Sequence, residues 1–281
     1  MICIYHSRDI DGWMSAAIVK LKYPDVVLTG WDYGQPMPDL NPELEDGLIM
    51  VDISFSAKIM GELQQAFNLI WIDHHISAIK DVASLDPLPF IEGMRNAKFA
   101  ACELTWKFFY PNDPMPELVR LLGRYDCFGH KGTYEERKVL EFQYGARQLI
   151  YDVSTALINL SASLDLSDDV VCGSILEDGK AIYAYVCMEA QQTYKRKFDI
   201  ILDGYKFGCV NQDRFNPINF GINYHNDGYD GFACFWYVNN QWTYSLYNDN
   251  GLVDCSVICK NRGGGGHKGA AGFQTKELVL K

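Results

Sequence analysis

Five consecutive residues, Trp71-Ile72-Asp73-His74-His75, place a carboxylate and two imidazoles directly after an apolar run that begins at Leu69. A buried strand that delivers ligands at its C-terminal edge has this pattern, and open α/β sheets build their sites at that edge. Neutral imidazole beside carboxylate suits a divalent transition metal, with the carboxylate either as ligand or as the group that orients the ring. Three such residues do not hold a metal pair alone, so partners are needed elsewhere. His6-Ser7-Arg8-Asp9-Ile10-Asp11-Gly12 offers an imidazole and two carboxylates between an apolar run and a segment of helical spacing. A turn followed by a helix cap accounts for Asp9 and Asp11 equally well, since aspartate favours both positions. Asp52 follows Leu48-Ile49-Met50-Val51, where an acid is costly unless paired or on a metal. Asp126, in Arg124-Tyr125-Asp126-Cys127, is the best further carboxylate; Asp113 and Asp152 are rivals, and a surface aspartate at a helix end is the plain alternative.

A second kind of chemistry is written near the C-terminus, in Lys260-Asn261-Arg262-Gly263-Gly264-Gly265-Gly266-His267-Lys268-Gly269-Ala270-Ala271-Gly272-Phe273. Consecutive glycines let backbone N–H groups meet an anion, and the flanking Lys260, Arg262, His267 and Lys268 add positive charge. The Ala-Ala-Gly run predicts a tightly packed helix start, which also favours phosphate. A flexible linker is the competing account of a glycine run. Of six histidines, four (His6, His74, His75, His267) fall inside these motifs.

The elements that must carry these residues follow from periodicity. Residues 1–5 read as a strand ending at His6, and Met14, Ala17, Ile18 and Leu21 as a helix stopped by Pro24. Val26–Trp31, Gly47–Ile53 and Asn68–Asp73 read as strands and Ser56–Phe67 as a helix. This order predicts an α/β, doubly wound, largely parallel sheet. Residues 76–131 are expected to be mainly helical, with Ala100–Phe109 and Glu117–Tyr125 the clearest helices; Tyr134–Leu166 continues helical. A long helix over 171–198 ends in the basic Tyr194-Lys195-Arg196-Lys197, a solvated last turn or an anion contact. Beyond it, Ile200–Asn211, Ile218–Tyr224, Phe232–Val238 and Trp242–Tyr247 read as β-rich runs, with turns at Asp227-Gly228 and Asn239-Asn240. The expected domains are therefore a metal-binding domain over 1–170, a connecting helix over 171–198 and a smaller α+β domain over 199–281. Its aromatics, which alternate as strand faces do, are expected to be mostly core.

Composition sets limits on partners. The 281 residues are 48% apolar and 22% charged, with a net charge of −11. That reads as globular, and it disfavours tracking along long polyanions. Nine scattered cysteines without a C-x-x-C argue for reduced thiols in a cytoplasm. No signal peptide and no membrane-spanning run are expected.

The set His6-x-x-Asp9-x-Asp11, Asp52, Asp73-His74-His75 and a late Gly-Gly-Gly-Gly-His267 resembles the DHH phosphoesterase superfamily. The nearest branch is that of two-domain enzymes with a DHH-associated domain, similar to nano-RNase (oligoribonuclease) and pAp-phosphatase enzymes. The matches cover 6–126 and 260–273. The resemblance implies two divalent ions, Mn2+ foremost: His6 and Asp9 on one, Asp11, His74 and Asp126 on the other, and Asp52 bridging. It implies that Asp73 orients His74 and that His75 faces the substrate phosphate. Arg262, Gly263, Gly264, Gly265, Gly266 and His267 would bind substrate. Related nano-RNases often have one residue more between the first His and the first Asp, usually with a Pro; here Ser7-Arg8 stands between them.

Two ions about 3.5–4 Å apart would activate a water for in-line attack on phosphorus and clamp the leaving oxygen. The implied activity is hydrolysis of short nucleotide phosphodiesters or phosphomonoesters to nucleoside monophosphates. The partner is then a short nucleotide or oligonucleotide, and a homodimer is compatible. An inorganic pyrophosphatase or exopolyphosphatase, and a non-catalytic nucleotide-binding sensor, are the alternatives.

Overall fold

The computed structural model describes residues 1–43 and 47–279. It divides into two compact units, Met1–Tyr183 and Ala184–Lys281. The first opens with β1 (Ile2–His6), α1 (Ile10–Lys22), β2 (Val27–Trp31), β3 (Leu48–Val51), α2 (Ala57–Ala66), β4 (Leu69–Ile72) and α3 (Ile76–Ala83). The strands form a sheet of order β2-β1-β3-β4 in which every pairing is parallel. Both faces are covered, which explains why the strands are near-continuous apolar runs. Ile4, Leu48, Met50 and Trp71 pack on one side with Met60 and Leu63 of α2. Cys3, Ile49, Val51 and Ile72 pack on the other with Val19 of α1.

Residues 84–100 are a loop rather than the expected helix, and they bridge in parallel to Ile70 and Asp73 through Glu92 and Arg95. Side chains there answer strand partners, not a helical face. Helices α4 (Ala101–Phe109), α5 (Glu117–Asp126), α6 (Glu136–Leu149), α7 (Val153–Asp165) and α8 (Asp168–Tyr194) follow. The stretch 134–166 is thus two helices: Asp152 caps α7, its Oδ1 accepting the Thr155 N–H at 2.7 Å. The core of this layer joins Met14, Ala17 and Ile18 of α1 to Leu118, Leu122, Phe142 and Leu160. Helices α6 and α8 touch backbone to backbone. A β-carbon on Gly145 would overlap the Ile175 carbonyl, and one on Gly179 would overlap that of Glu141.

The second unit takes in the end of α8 and then β5 (Phe198–Leu202), β6 (Tyr205–Asn211), β7 (Gly231–Val238), β8 (Gln241–Tyr247), α9 (Cys255–Lys260), β9 (Gly265–His267) and β10 (Ala270–Thr275). Its sheet runs β5-β6-β7-β8-β10-β9 and is antiparallel except for β6 with β7. Three expectations are corrected here. Ile200–Asn211 is a hairpin, because Asp203 and Gly204 both adopt positive φ, 52° and 87°, and turn the chain. Ile218–Tyr224 is not a strand: 3-10 turns at Pro217–Phe220 and Tyr224–Asp227 replace it, each capped by an asparagine, Asn216 and Asn223. Ala270-Ala271-Gly272 begins β10, not a helix. The turn at Asn239-Asn240 has φ of 50° and 60° and joins β7 to β8. Phe232, Phe235, Tyr224 and Tyr244 are buried. Among the described residues, no helix is long and apolar enough to cross a membrane.

Candidate metal centre

Strand order β2-β1-β3-β4 places a reversal of winding between β1 and β3, the position where parallel sheets open a crevice at their carboxyl edge. His6 ends β1, Asp52 directly follows β3, and Asp73-His74-His75 directly follow β4. Parallel pairing of Tyr5 with Val51 and of Val51 with Ile72 brings all three strand ends level. Asp52 is held there in a left-handed conformation, φ 59°, with its N–H donated to the Ile72 carbonyl at 2.9 Å. It is 1% exposed. A buried carboxylate in a sparsely populated backbone region marks a position fixed by its surroundings.

The carboxylate of Asp52 lies between two imidazoles. Its Oδ2 is 3.4 Å from His6 Nδ1, and its Oδ1 is 3.4 Å from His74 Nε2 and 4.0 Å from His75 Nδ1. On the His6 side, Asp9 Oδ2 is 3.0 Å from Nδ1. Asp9 Oδ1 meanwhile accepts the Gly12 N–H at 3.0 Å and caps α1. The cap takes one oxygen of Asp9 and leaves the other beside His6. On the His74 side, Nε2 is 3.3 Å from Asp126 Oδ2 and 3.7 Å from Asp11 Oδ2. Asp11 also caps a helix, but a distant one: its oxygens accept the N–H groups of Ala101 and Cys102 at 2.9 and 2.8 Å, at the start of α4. Asp126 arrives as the last residue of α5, whose own first N–H groups, on Glu117 and Leu118, are donated to Asp168. Of the rivals, Asp152 caps α7, and Asp113 accepts Trp106 Nε1–H through its carbonyl.

Asp73 is fully buried and saturated with donors: the N–H groups of His74 and His75 at 2.7 and 3.0 Å, Trp71 Nε1–H at 3.2 Å, and Nδ1 of the His75 ring at 2.7 Å. These contacts fix the His75 ring and the backbone of His74. One carboxylate absent from the sequence reading joins the rim. Asp32, one residue past β2, has Oδ1 3.5 Å from His6 Nε2 and Oδ2 2.5 Å from Arg8 Nε. An acid just after an apolar strand, as with Asp52, was the available signal.

The charges are crowded. Burial, then the nearby charges of Asp52 and Asp126, push the Asp11 carboxyl well above its ordinary range. Burial likewise pushes Asp126 up to about 7, against the pull of His74. Burial opposes charge on His6 and His74, but Asp52 and the other carboxylates around them prevail and push both to about 11. Burial alone would raise Asp52; His6 and His74 hold it below the carboxylate range instead. This cluster of acids demands positive charge at its centre.

Divalent ions are a natural source of that charge, and the donor set fits them. Among the described residues, ligand atoms fall within 4.8 Å of one another in three groups: His6, Asp9 and Asp52; Asp11, His74 and Asp126; and Asp52, His74 and His75. The groups overlap at Asp52 and His74. Two of the buried side-chain atoms here, His6 Nδ1 and Asp52 Oδ1, make no hydrogen bond among the described residues. Unsatisfied buried polar atoms are rare, and a coordinated ion is one of the accepted reasons for them.

The glycine-rich segment is built differently from the expectation. Gly263 and Gly264 donate their N–H groups to Lys260 and Cys259, which end α9. Gly265, Gly266 and His267 form β9, paired to β10. A β-carbon on Gly264 would overlap the Gly272 carbonyl, and Gly266 has φ 133°, so close strand approach explains these glycines. Arg262 is bound to Asp203 by Nη1 at 3.1 Å and Nη2 at 2.6 Å, and by Nη1 to the Ile258 carbonyl.

No protein-family model matches the chain. An uncharacterized protein of Acanthamoeba polyphaga mimivirus is 25% identical over 294 residues, which cover 97% of this chain and 66% of that protein. The chain thus spans just under two-thirds of its relative's length. Among solved structures, the DHH domain of a member of the s1p family of ribosomal proteins superposes with a TM-score of 0.52 at 14% identity, over 96% of this chain and 81% of the other. The chain has the DHH fold. Other structural neighbours include an exopolyphosphatase-related protein from Bacteroides fragilis, with a TM-score of 0.54 at 15% identity, over 99% of this chain and 87% of that one. A pGpG-specific phosphodiesterase from Vibrio cholerae has a TM-score of 0.50 at 12% identity, over 97% and 92%.

Proposed function

We propose that this DHH-fold chain is a metal-dependent phosphoesterase that hydrolyses short nucleotide phosphodiesters or phosphomonoesters to nucleoside monophosphates. The observation that carries the proposal is the chain of three ligand groups linked through Asp52 and His74, with buried atoms of His6 and Asp52 left unbonded among the described residues. His6, Asp9 and Asp52 would hold one divalent ion, and Asp11, His74 and Asp126 the other, with Asp52 shared; Mn2+ is the ion we favour for this N/O donor set. Bound ions supply Lewis-acid charge to phosphoryl oxygens and acidify water.

The chain's own residues do the rest. Asp11 and Asp9 each spend lone pairs on a helix N-terminus, which fixes their carboxylate planes before any substrate arrives. Asp73 takes Nδ1–H of His75, so Nε2 is the nitrogen that meets a phosphate oxygen or passes a proton to the departing one. In the second unit, His267 and the exposed Gly265 are the parts of the glycine-rich segment we assign to substrate, while Arg262 is held by Asp203. A dinucleotide rather than a long strand is favoured by the net charge of −11 and by the pGpG specificity of one neighbour. The test is Mn2+-dependent turnover of pApA, pGpG, 3′-phosphoadenosine 5′-phosphate, cyclic di-AMP, pyrophosphate and a long single strand. Preferred turnover of the dinucleotides supports the proposal. Turnover of pyrophosphate alone, or of nothing, defeats it.

A further inference from the structure

Beside the ligand cluster, in the same unit, stands a feature that metal binding does not use. The loop after β2 is pinned at both ends: Trp31 accepts the Ser7 N–H through its carbonyl at 3.0 Å and donates Nε1–H to the Pro36 carbonyl at 3.1 Å. Within it, Asp32 accepts the Tyr33 N–H on Oδ1 at 2.8 Å and Arg8 Nε–H on Oδ2 at 2.5 Å. Arg8 is therefore held by one edge of its guanidinium while its side chain stays 65% exposed. Among the described residues its Nη atoms have no partner. Two other guanidiniums of this unit are spent: Arg95 on the carbonyls of Trp71 and Ile91, Arg124 on Glu103.

Tyr33 lies next to it. Its hydroxyl is tied to Ser54, which is buried, and its ring sits 5.6 Å from Trp31 and 6.3 Å from His6. Yet Tyr33 is 51% exposed. A ring anchored at its tip and edge but open to water is a preorganised stacking surface. A guanidinium anchored through Nε offers its two Nη groups as a fork for phosphate.

We infer that Arg8, Asp32 and Tyr33 form a nucleotide-binding lip: Arg8 takes a phosphate oxygen, Asp32 holds Arg8 in place, and Tyr33 stacks the base. The inference rests on reading the neighbouring cluster as a phosphoesterase site, and it names the substrate class as base-bearing. Inorganic pyrophosphate or polyphosphate would leave the Tyr33 ring unused.

The test is calorimetric titration of the full chain, in Mn2+, with AMP and with ribose 5-phosphate. Wild type should bind AMP about tenfold or more tightly than ribose 5-phosphate, the difference being the stacked base. Tyr33→Leu should abolish that difference and Tyr33→Phe should keep it. Arg8→Ala should weaken both probes by about tenfold or more, with the AMP preference intact. Equal binding of the two probes by wild type, or a preference that survives in Tyr33→Leu, overturns the inference. Turnover of the phosphoester panel is read separately. A wild type that turns over nothing defeats the phosphoesterase reading, while AMP preference lost in Tyr33→Leu still upholds the lip.

Discussion

Asp52 must satisfy two conditions at once: a left-handed backbone at a strand end, and a carboxylate buried between His6 and His74. Asparagine tolerates the same backbone and nearly the same volume, so Asp52→Asn separates charge from conformation. The variant should fold, bind fewer than two Mn2+ ions per chain and lose turnover by at least about a hundredfold, more than any other ligand substitution; metal content and kcat on the purified protein check this. Two ions bound at a near-normal rate would remove Asp52 from the bridging role. At the edge of the cluster, Asp126→Ala should lower metal occupancy, whereas Asp113→Ala and Asp152→Ala should not. Asp152→Ala should instead lower the melting temperature, because the α7 cap is lost. Greater metal loss from Asp113→Ala or Asp152→Ala would reverse the assignment of Asp126.

Elements decide where such residues end up, and here the sequence was legible to different depths. The four strands of the parallel sheet could be read because burial on both faces leaves runs such as Leu48–Val51 uninterrupted. In a parallel sheet their ends share one edge, which is where His6, Asp52 and His74 stand in the sequence. Asp32 carries the same local signal as Asp52, an acid just after an apolar strand, but its place beside His6 depends on the pairing of β1 with β2, with His6 opposite Trp31. The run through Asp203-Gly204 looked continuous because its flanks are equally β-forming, and the turn is set by two backbone dihedrals. Ala270-Ala271-Gly272 looked helical because alanine is a good helix former, but pairing with β8 and β9 overrides that weak preference. The contact of α6 with α8 makes a prediction at this scale. Gly145→Ala inserts a methyl where the Ile175 carbonyl already sits, and should destabilise the fold by about 1–3 kcal/mol in urea unfolding. Unchanged stability would mean the two helices are free to part.

Across the whole molecule, acid outweighs base by 36 Asp and Glu to 25 Lys and Arg, and Asp9, Asp11, Asp52 and Asp126 converge on the imidazoles of His6 and His74. Much of the cost of that convergence is met by ordinary structural bonds, and Asp11 is the clearest case. It belongs to α1 by sequence, yet its two oxygens hold the amides of Ala101 and Cys102, about ninety residues later. Those two amides are therefore a clock attached to the site. When ions lock the Asp11 carboxylate, opening of the α4 N-terminus should become rarer, and the amide protons of residues 101 and 102 should exchange with deuterium more slowly; exchange followed by mass spectrometry with and without Mn2+ reads this without any substrate. In Asp11→Asn the same amides should exchange quickly and ignore the ion. Faster exchange in wild type on adding Mn2+ would mean that Asp11 abandons the helix to reach the ion, and that one carboxylate cannot serve both masters.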